Sequence, residues 1–115
     1  MLLKPKLLIP GLSAAAAAAA LGTPYAELFS PRRSRAAVAR ARQLAVYLCH
    51  VAFGASLSAC ARAFARDRAT VRHACATIEN LRDDRRFDAG ARRLESALIM
   101  QRDMICALLA QGSAQ

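Results

Sequence analysis

Residues 65–81 read ARDRATVRHACATIENL, and the fold turns on where in this stretch a helix begins. Asp67 is the answer the residues suggest. A carboxylate just ahead of an apolar rhythm accepts hydrogen bonds from the first free backbone N–H groups and suits the positive end of the helix dipole, which predicts a helix from Arg68. Val71, Ala74, Cys75, Ile78 and Leu81 then make one stripe at helical spacing, while Arg68, Thr70, Arg72, His73 and Thr77 lie off it. Just upstream, Ser56 is placed to cap a short helix through about Phe64 that buries Leu57, Cys60, Ala61 and Phe64 against the helix before it. A short helix, a tight turn at Ala65 and Arg66 and a longer helix make a helix-turn-helix. Charged residues off a stripe are usually a solvated face. Here bases and hydroxyls crowd the first turn and a half of the second helix, the part that enters the major groove in this motif.

Outward from the motif, the chain from Pro31 onward reads as helices, with no period-two alternation of β-branched residues. Residues 35–53 are expected to form a long helix: Val38, Ala41, Ala45, Leu48 and Ala52 recur at helical steps, and Leu44 and Val51 widen the apolar face. Gly54 is placed to end it, because glycine takes the left-handed conformation that commonly closes a helix. LRDDRRFDAG, residues 81–90, reads as a charged connection, and residues 88–111 as a last amphipathic helix with Leu94, Leu98, Ile105 and Leu108 on one side. The expected fold class is all-α, a small helical bundle containing a helix-turn-helix. Its expected divisions are an Ala-rich leader at 1–30, the helix-turn-helix domain at 31–86 and a C-terminal amphipathic helix within 87–115.

A chain of 115 residues holds one small domain and no large catalytic one. Lys and Arg number 17 against 8 Asp and Glu, a net charge of +9, and all but Lys4 and Lys6 are arginines, whose planar fork suits phosphate oxygens and guanine edges. Twelve bases and four acids fall between Arg32 and Arg86, so a polyanion is the natural partner. Cys49, Cys60, Cys75 and Cys106 form no CxxC pair and read as buried thiols in a reducing compartment. His50 and His73 stand near Cys49 and Cys75, but unpaired ligands on separate helices do not make a zinc site, so no metal or cofactor is expected. The sequence has no Gly-rich phosphate loop ending in Lys-Ser or Lys-Thr, and no nucleophile with a base and an orienting group. Neither ATP binding, nor catalysis, nor a small-molecule substrate is expected.

MLLKPKLLIPGLSAAAAAAALGTPYA, residues 1–26, has the outline of a secretory signal. Against that, Pro10 and Gly11 interrupt the apolar stretch and alanine replaces a leucine-rich centre. The run also breaks too early for the roughly 20 apolar residues that span a bilayer. The expectation is a low-complexity leader, flexible or partly helical at the alanines, with export of a cationic membrane-surface peptide as the minority alternative.

RRSRAAVARARQLAVYL at residues 32–48 and SLSACARAFARDRATVRHACATIENLRDD at residues 56–84 resemble the DNA-binding C-terminal domain of the bacterial replication initiator DnaA. The resemblance covers about residues 31–86 and is most specific at RQLAVYL and in the spacing of Arg66-Asp67, Thr70-Val71, His73-Ala74-Cys75 and Ile78-Glu79. It implies a helix-turn-helix bundle of the Trp-repressor-like, DnaA C-terminal type. It implies that Arg33 enters the minor groove, where arginine reads groove width and negative potential. It implies phosphate contacts from Arg42 and Gln43 on the first long helix and from Arg66, Thr70 and His73 around the recognition helix. Asp67 matches an aspartate that accepts from a base edge, a role it can share with capping. Where the family has histidine and threonine on bases, this chain has Arg68, suited to guanine O6 and N7, and Ala69, which offers only a methyl to thymine. Each good bidentate base contact is worth about 1–3 kcal/mol of discrimination, so the preferred site should differ from the initiator's box. The turn is one residue shorter, with AFARD where the family has two glycines between phenylalanine and arginine, and the basic stretch has one extra residue near Ala36 and Ala37.

Together these readings predict a stand-alone, sequence-preferring binder of double-stranded DNA that regulates replication initiation or transcription without hydrolysing ATP. Its expected place is the cytoplasm, at the nucleoid. The alternative is a degenerate relative that binds a protein partner through the C-terminal helix and DNA weakly. Closing the bundle is the simplest task for that helix, but Ile99, Met100 and Leu109 broaden the apolar face of residues 94–109 enough for a homodimer or a protein partner.

Overall fold

The computed structural model describes residues 5–30 and 35–113. They form α1 (Pro5–Leu21), α2 (Ala36–Tyr47), α3 (Leu57–Ala63), α4 (Arg68–Leu81) and α5 (Arg85–Ser113), with a 3-10 turn at Tyr25–Phe29 and a π-helical segment, Leu48–Ala52, continuing α2. No strand occurs among the described residues, and the all-α expectation holds. α2 is the central element, packed between α1 and α4. Val38, Ala41, Ala45 and Leu48 are wholly buried along it, and Tyr47, Phe64, Leu28 and Ile78 are the bulkiest core residues around it.

The expected division between residues 1–30 and the domain does not separate packed parts, because α1 lies against α2. The alanine run is not a leader outside the domain: Ala14, Ala17 and Ala18 are core residues against α2. Alanine is the strongest helix former, and its short side chain allows close packing without loss of rotamer freedom. Thr23 N donates to Ala18 O at 2.9 Å, closing α1 before the 3-10 turn. Leu28 in that turn is buried, and Phe29 stacks on Phe64, the residue just after α3, with centroids 5.1 Å apart.

The helix expected over 35–53 forms over Ala36–Ala52, and Gly54, at φ 73°, follows it. Its last turn is wider than expected: Phe53 N donates to Leu48 O at 3.2 Å, a five-residue step. That extra residue rotates the following side chains around the axis. Leu44 is buried as expected, but Val51 is turned out to 43 % exposure. α3 buries Cys60, Ala61 and Phe64, and its chief partner is α4 rather than the helix before it.

α5 begins three residues earlier than expected because Asp84 caps it, its Oδ1 accepting from Arg86 N at 2.9 Å and Phe87 N at 3.0 Å. Ala91 and Leu98 are buried, Leu94 packs on the core, and the Arg102 guanidinium lies 5.4 Å from the Phe53 ring centroid. Residues 35–86 therefore share one unit with parts of α1 and α5. Ile105 is only half-buried and Leu108 is 59 % exposed, so the expected apolar side of α5 reaches the core through its first half alone.

Candidate nucleic-acid interface

Local hydrogen bonds set the start of each helix in the motif. Ser56 Oγ accepts from Ala59 N at 3.0 Å, and Asp67 Oδ1 accepts from Thr70 N at 2.7 Å, so both expected caps are present. The Thr70 backbone bond, with its side-chain bond, holds the Asp67 carboxyl below the ordinary carboxylate range, so Asp67 is ionised at neutral pH. Between the helices Ala65 takes φ 52°, the left-handed conformation glycine would adopt without a Cβ penalty. Arg66 N donates to Ala61 O at 2.9 Å across this turn.

Arg66 also braces the turn with its side chain. Nη1 donates to Ala65 O at 3.0 Å, and Nη2 donates to Ser30 O at 3.0 Å, tying the turn to the chain ahead of α2. Arg42, expected to contact phosphate, turns part of its fork inward. It is 9 % exposed, Nε donates to Leu28 O at 2.9 Å and Nη2 to Glu27 O at 3.0 Å. The physical reason is the 3-10 turn, whose carbonyls need donors and meet α2 there. Burial first, and then the charge of Arg66, pull the Arg42 pKa below its ordinary value. Two guanidinium groups sharing one low-dielectric region favour an anion near them.

That region is a groove of about 190 Å³ between α2 and the start of α4, with Arg42, Gln43, Arg66 and Thr70 in its lining. Four of the five expected phosphate contacts thus meet in one place. His73, the fifth, is exposed one turn farther along α4, and Thr77 Oγ1 donates back to its carbonyl at 2.9 Å. Of the expected base contacts, Asp67, Arg68 and Ala69 are all exposed at the start of α4. Arg33 lies outside the described residues. Arg72, which the resemblance did not assign, is exposed one turn after Arg68, and its four-residue spacing from Arg68 was the available clue.

A polar hub holds α4 at the far end. Arg82 Nε donates to Asp88 Oδ1 at 2.6 Å, while Nη1 donates to the Tyr47 hydroxyl at 2.9 Å and to Glu95. Tyr47 in turn donates to Glu79 Oε1 at 2.9 Å. Burial works against the Arg82 charge, and its bonds to Asp88, Tyr47 and Glu95 more than reverse this, so its pKa lies above the ordinary value. α2, α4 and α5 are thereby joined through one side chain. Among the described residues no His, Cys, Asp or Glu cluster is suited to a metal ion. Cys49 and Cys60 are buried and Cys75 is half-buried, but Cys106 is exposed, against the expectation of four buried thiols. No helix is long and apolar enough to cross a membrane among the described residues.

A short helix, a tight turn and a second helix, whose N-terminus carries exposed polar side chains beside a cationic groove, define the helix-turn-helix class. The family model described as the bacterial DnaA protein helix-turn-helix matches residues 14–78, and the chain belongs to that family. This is a DNA-binding family rather than a catalytic one. The match starts within the alanines of α1 and ends at Ile78, before α5. No curated protein gives a significant match.

Proposed function

We propose that the chain binds double-stranded DNA with sequence preference, with α4 in the major groove, and acts in the control of replication initiation or of transcription without ATP hydrolysis of its own. The observation that carries this reading is the groove where Arg42, Gln43, Arg66 and Thr70 converge, directly beside the exposed row Asp67, Arg68, Ala69 and Arg72. A phosphate seated in the groove receives Thr70 and Arg66 and is attracted by the half-hidden charge of Arg42. Seating it fixes the register of α4, while the exposed row supplies the base contacts. Arg68 favours guanine and Asp67 a cytosine or adenine amino group.

Selection from random duplex DNA at low and moderate salt tests this. Enrichment of a short motif is expected, and Arg68→Ala should lower preference for that motif by about 1–3 kcal/mol while binding to unrelated duplex changes little. Retention of all duplex at low salt with no enriched motif would refute sequence preference, and no retention at low salt would refute DNA binding.

A further inference from the structure

α5 is longer than the core requires. Its 29 residues extend about 43 Å at 1.5 Å per residue, yet Phe87, Leu94 and Leu98 make its main core contacts. On the side turned away from the core, Met100 is 69 %, Met104 64 % and Leu108 59 % exposed. Arg93, Ala97, Met100, Met104, Ala107 and Gln111 are all exposed and follow the alternating four- and three-residue steps of a coiled-coil seam.

We propose that this seam pairs with the same seam of a second copy, antiparallel about a two-fold axis near Arg102. In that register Ala97 faces Ala107 of the second copy and Met100 faces Met104, so small meets small and flexible apolar meets flexible apolar. An isologous surface must match itself in this way. Between the end of α1 and the start of α5 lies an apolar groove of about 510 Å³ lined by Leu21, Leu44, Phe87 and Leu94. Leu108 of the second copy arrives opposite Leu94, where this groove can receive it.

Charge complementarity selects both the occupant and the direction. α5 has no basic residue in its last turn, so its carbonyl end, the negative pole of the helix dipole, lacks a cation of its own. Antiparallel pairing brings Arg93 of the second copy to that end, beside Gln111. A parallel pair would instead set Arg93 against Arg93. Asp103, the acid nearest the axis, keeps Arg102 Nε at 3.1 Å as a counter-charge. A seam from Arg93 to Gln111 is about 27 Å long and buries on the order of 1,000 Å² in all, the size of a weak, reversible interface. The pairing does not depend on the DNA reading.

Sedimentation equilibrium of the full chain without DNA tests it. The apparent mass should rise from 12.3 kDa toward twice that value with increasing concentration in the micromolar range. Met100→Glu combined with Met104→Glu should hold it at the monomer value with an unchanged far-UV spectrum, since both side chains stand in solvent in one copy. In a Cys106→Ser background, Ala97→Cys mixed with Ala107→Cys should form a disulfide-linked pair under oxidised glutathione, and neither variant alone should do so. Three results would overturn the proposal. One is a monomer at every concentration, which would leave the face to a different partner. The others are a dimer indifferent to both glutamates and self-linking by Ala97→Cys.

Discussion

Arg42→Ala separates two roles that the position could have. The structure places its Nε 2.9 Å from Leu28 O and its Nη2 3.0 Å from Glu27 O, with the residue 9 % exposed. Hydrogen bonds from a charged donor contribute about 1.5–3 kcal/mol each, and the carbonyls left behind regain little solvent. Discounting the half-open Glu27 bond, the loss is about 3 kcal/mol, a large share of the 5–15 kcal/mol typical of a whole domain. With a urea m-value of roughly 1.5 kcal/mol/M, the unfolding midpoint should fall by about 2 M. Arg42→Lys, which keeps the charge but not the fork, should lose about half as much. The second assay is duplex binding by fluorescence anisotropy at several salt concentrations, at a temperature where the variant remains folded. A clamp that attracts the seated phosphate only from within makes the slope of log K against log salt shallower by much less than the ~0.9 expected of a residue that neutralises one phosphate directly. An unchanged urea midpoint with a slope shallower by one would refute the clamp and restore Arg42 as a surface phosphate contact.

The remaining predictions concern the turn, the thiols and the carboxylates. Ala65→Gly should stabilise the domain by about 0.5–1 kcal/mol, since the φ of 52° costs alanine roughly 1–2 kcal/mol and glycine's greater unfolded-state entropy returns part of it; an unchanged or lower urea midpoint counts against strain in the turn. A thiol reagent at pH 8 should label Cys106 quickly and Cys49 and Cys60 only on unfolding. Cys75 should lag too, because burial, reinforced by Cys60 and Glu79, pushes its pKa up to about 11; rapid labelling of more than one thiol would contradict the packing. Asp67 is held below the ordinary carboxylate range by its bonds to Thr70, and Asp88 by its bond to Arg82. A depressed folded-state pKa contributes stability that is complete above the unfolded value near 4 and lost as pH falls through the folded one. Thermal melts should therefore hold steady from pH 7 to 5 and decline below pH 4; a melting temperature that stays flat to pH 2 would show these bonds to be inconsequential.

The features that could be read from sequence are local ones. Ser56, Asp67 and Gly54 act through hydrogen bonds and dihedrals within a few residues, so residue type and spacing sufficed. Asp84 was equally local, yet in RDDRR it looked like one more charge in a linker. Polyalanine was opaque for a different reason: over Ala14–Ala20 every face of α1 is alike, so no periodicity marks which alanines pack on α2. Val51 was misplaced because periodicity assumes a constant step, and the π turn at Leu48–Ala52 changes it. At the site, the residues that the resemblance marks as phosphate contacts, Arg42, Gln43, Arg66 and Thr70, converge on one groove. The resemblance could not say that Arg42 faces inward. That depends on carbonyls of a 3-10 turn fourteen and fifteen residues earlier, which have no sequence signature.

Net charge alone would treat the arginines as interchangeable, but their surroundings divide them into three kinds of work. Arg42 and Arg82 spend their donors inside the protein, one on the carbonyls ahead of α2 and the other on Tyr47, Asp88 and Glu95. Arg66 stands between inside and outside, bracing Ala65 and Ser30 while lining the groove. Arg68 and Arg72 remain exposed on the outer turns of α4. Arg66 and Arg82 act on α4 through position: Asp67 caps its start, Arg66 braces the turn ahead of it, and Arg82 ties its end to Tyr47, Asp88 and Glu95. The angle of α4 is set by these braces together with the turn at Ala65. Shape is thus held by buried or half-buried guanidinium groups, whereas Arg68 and Ala69 stand in solvent at the start of α4 and can change without disturbing the fold.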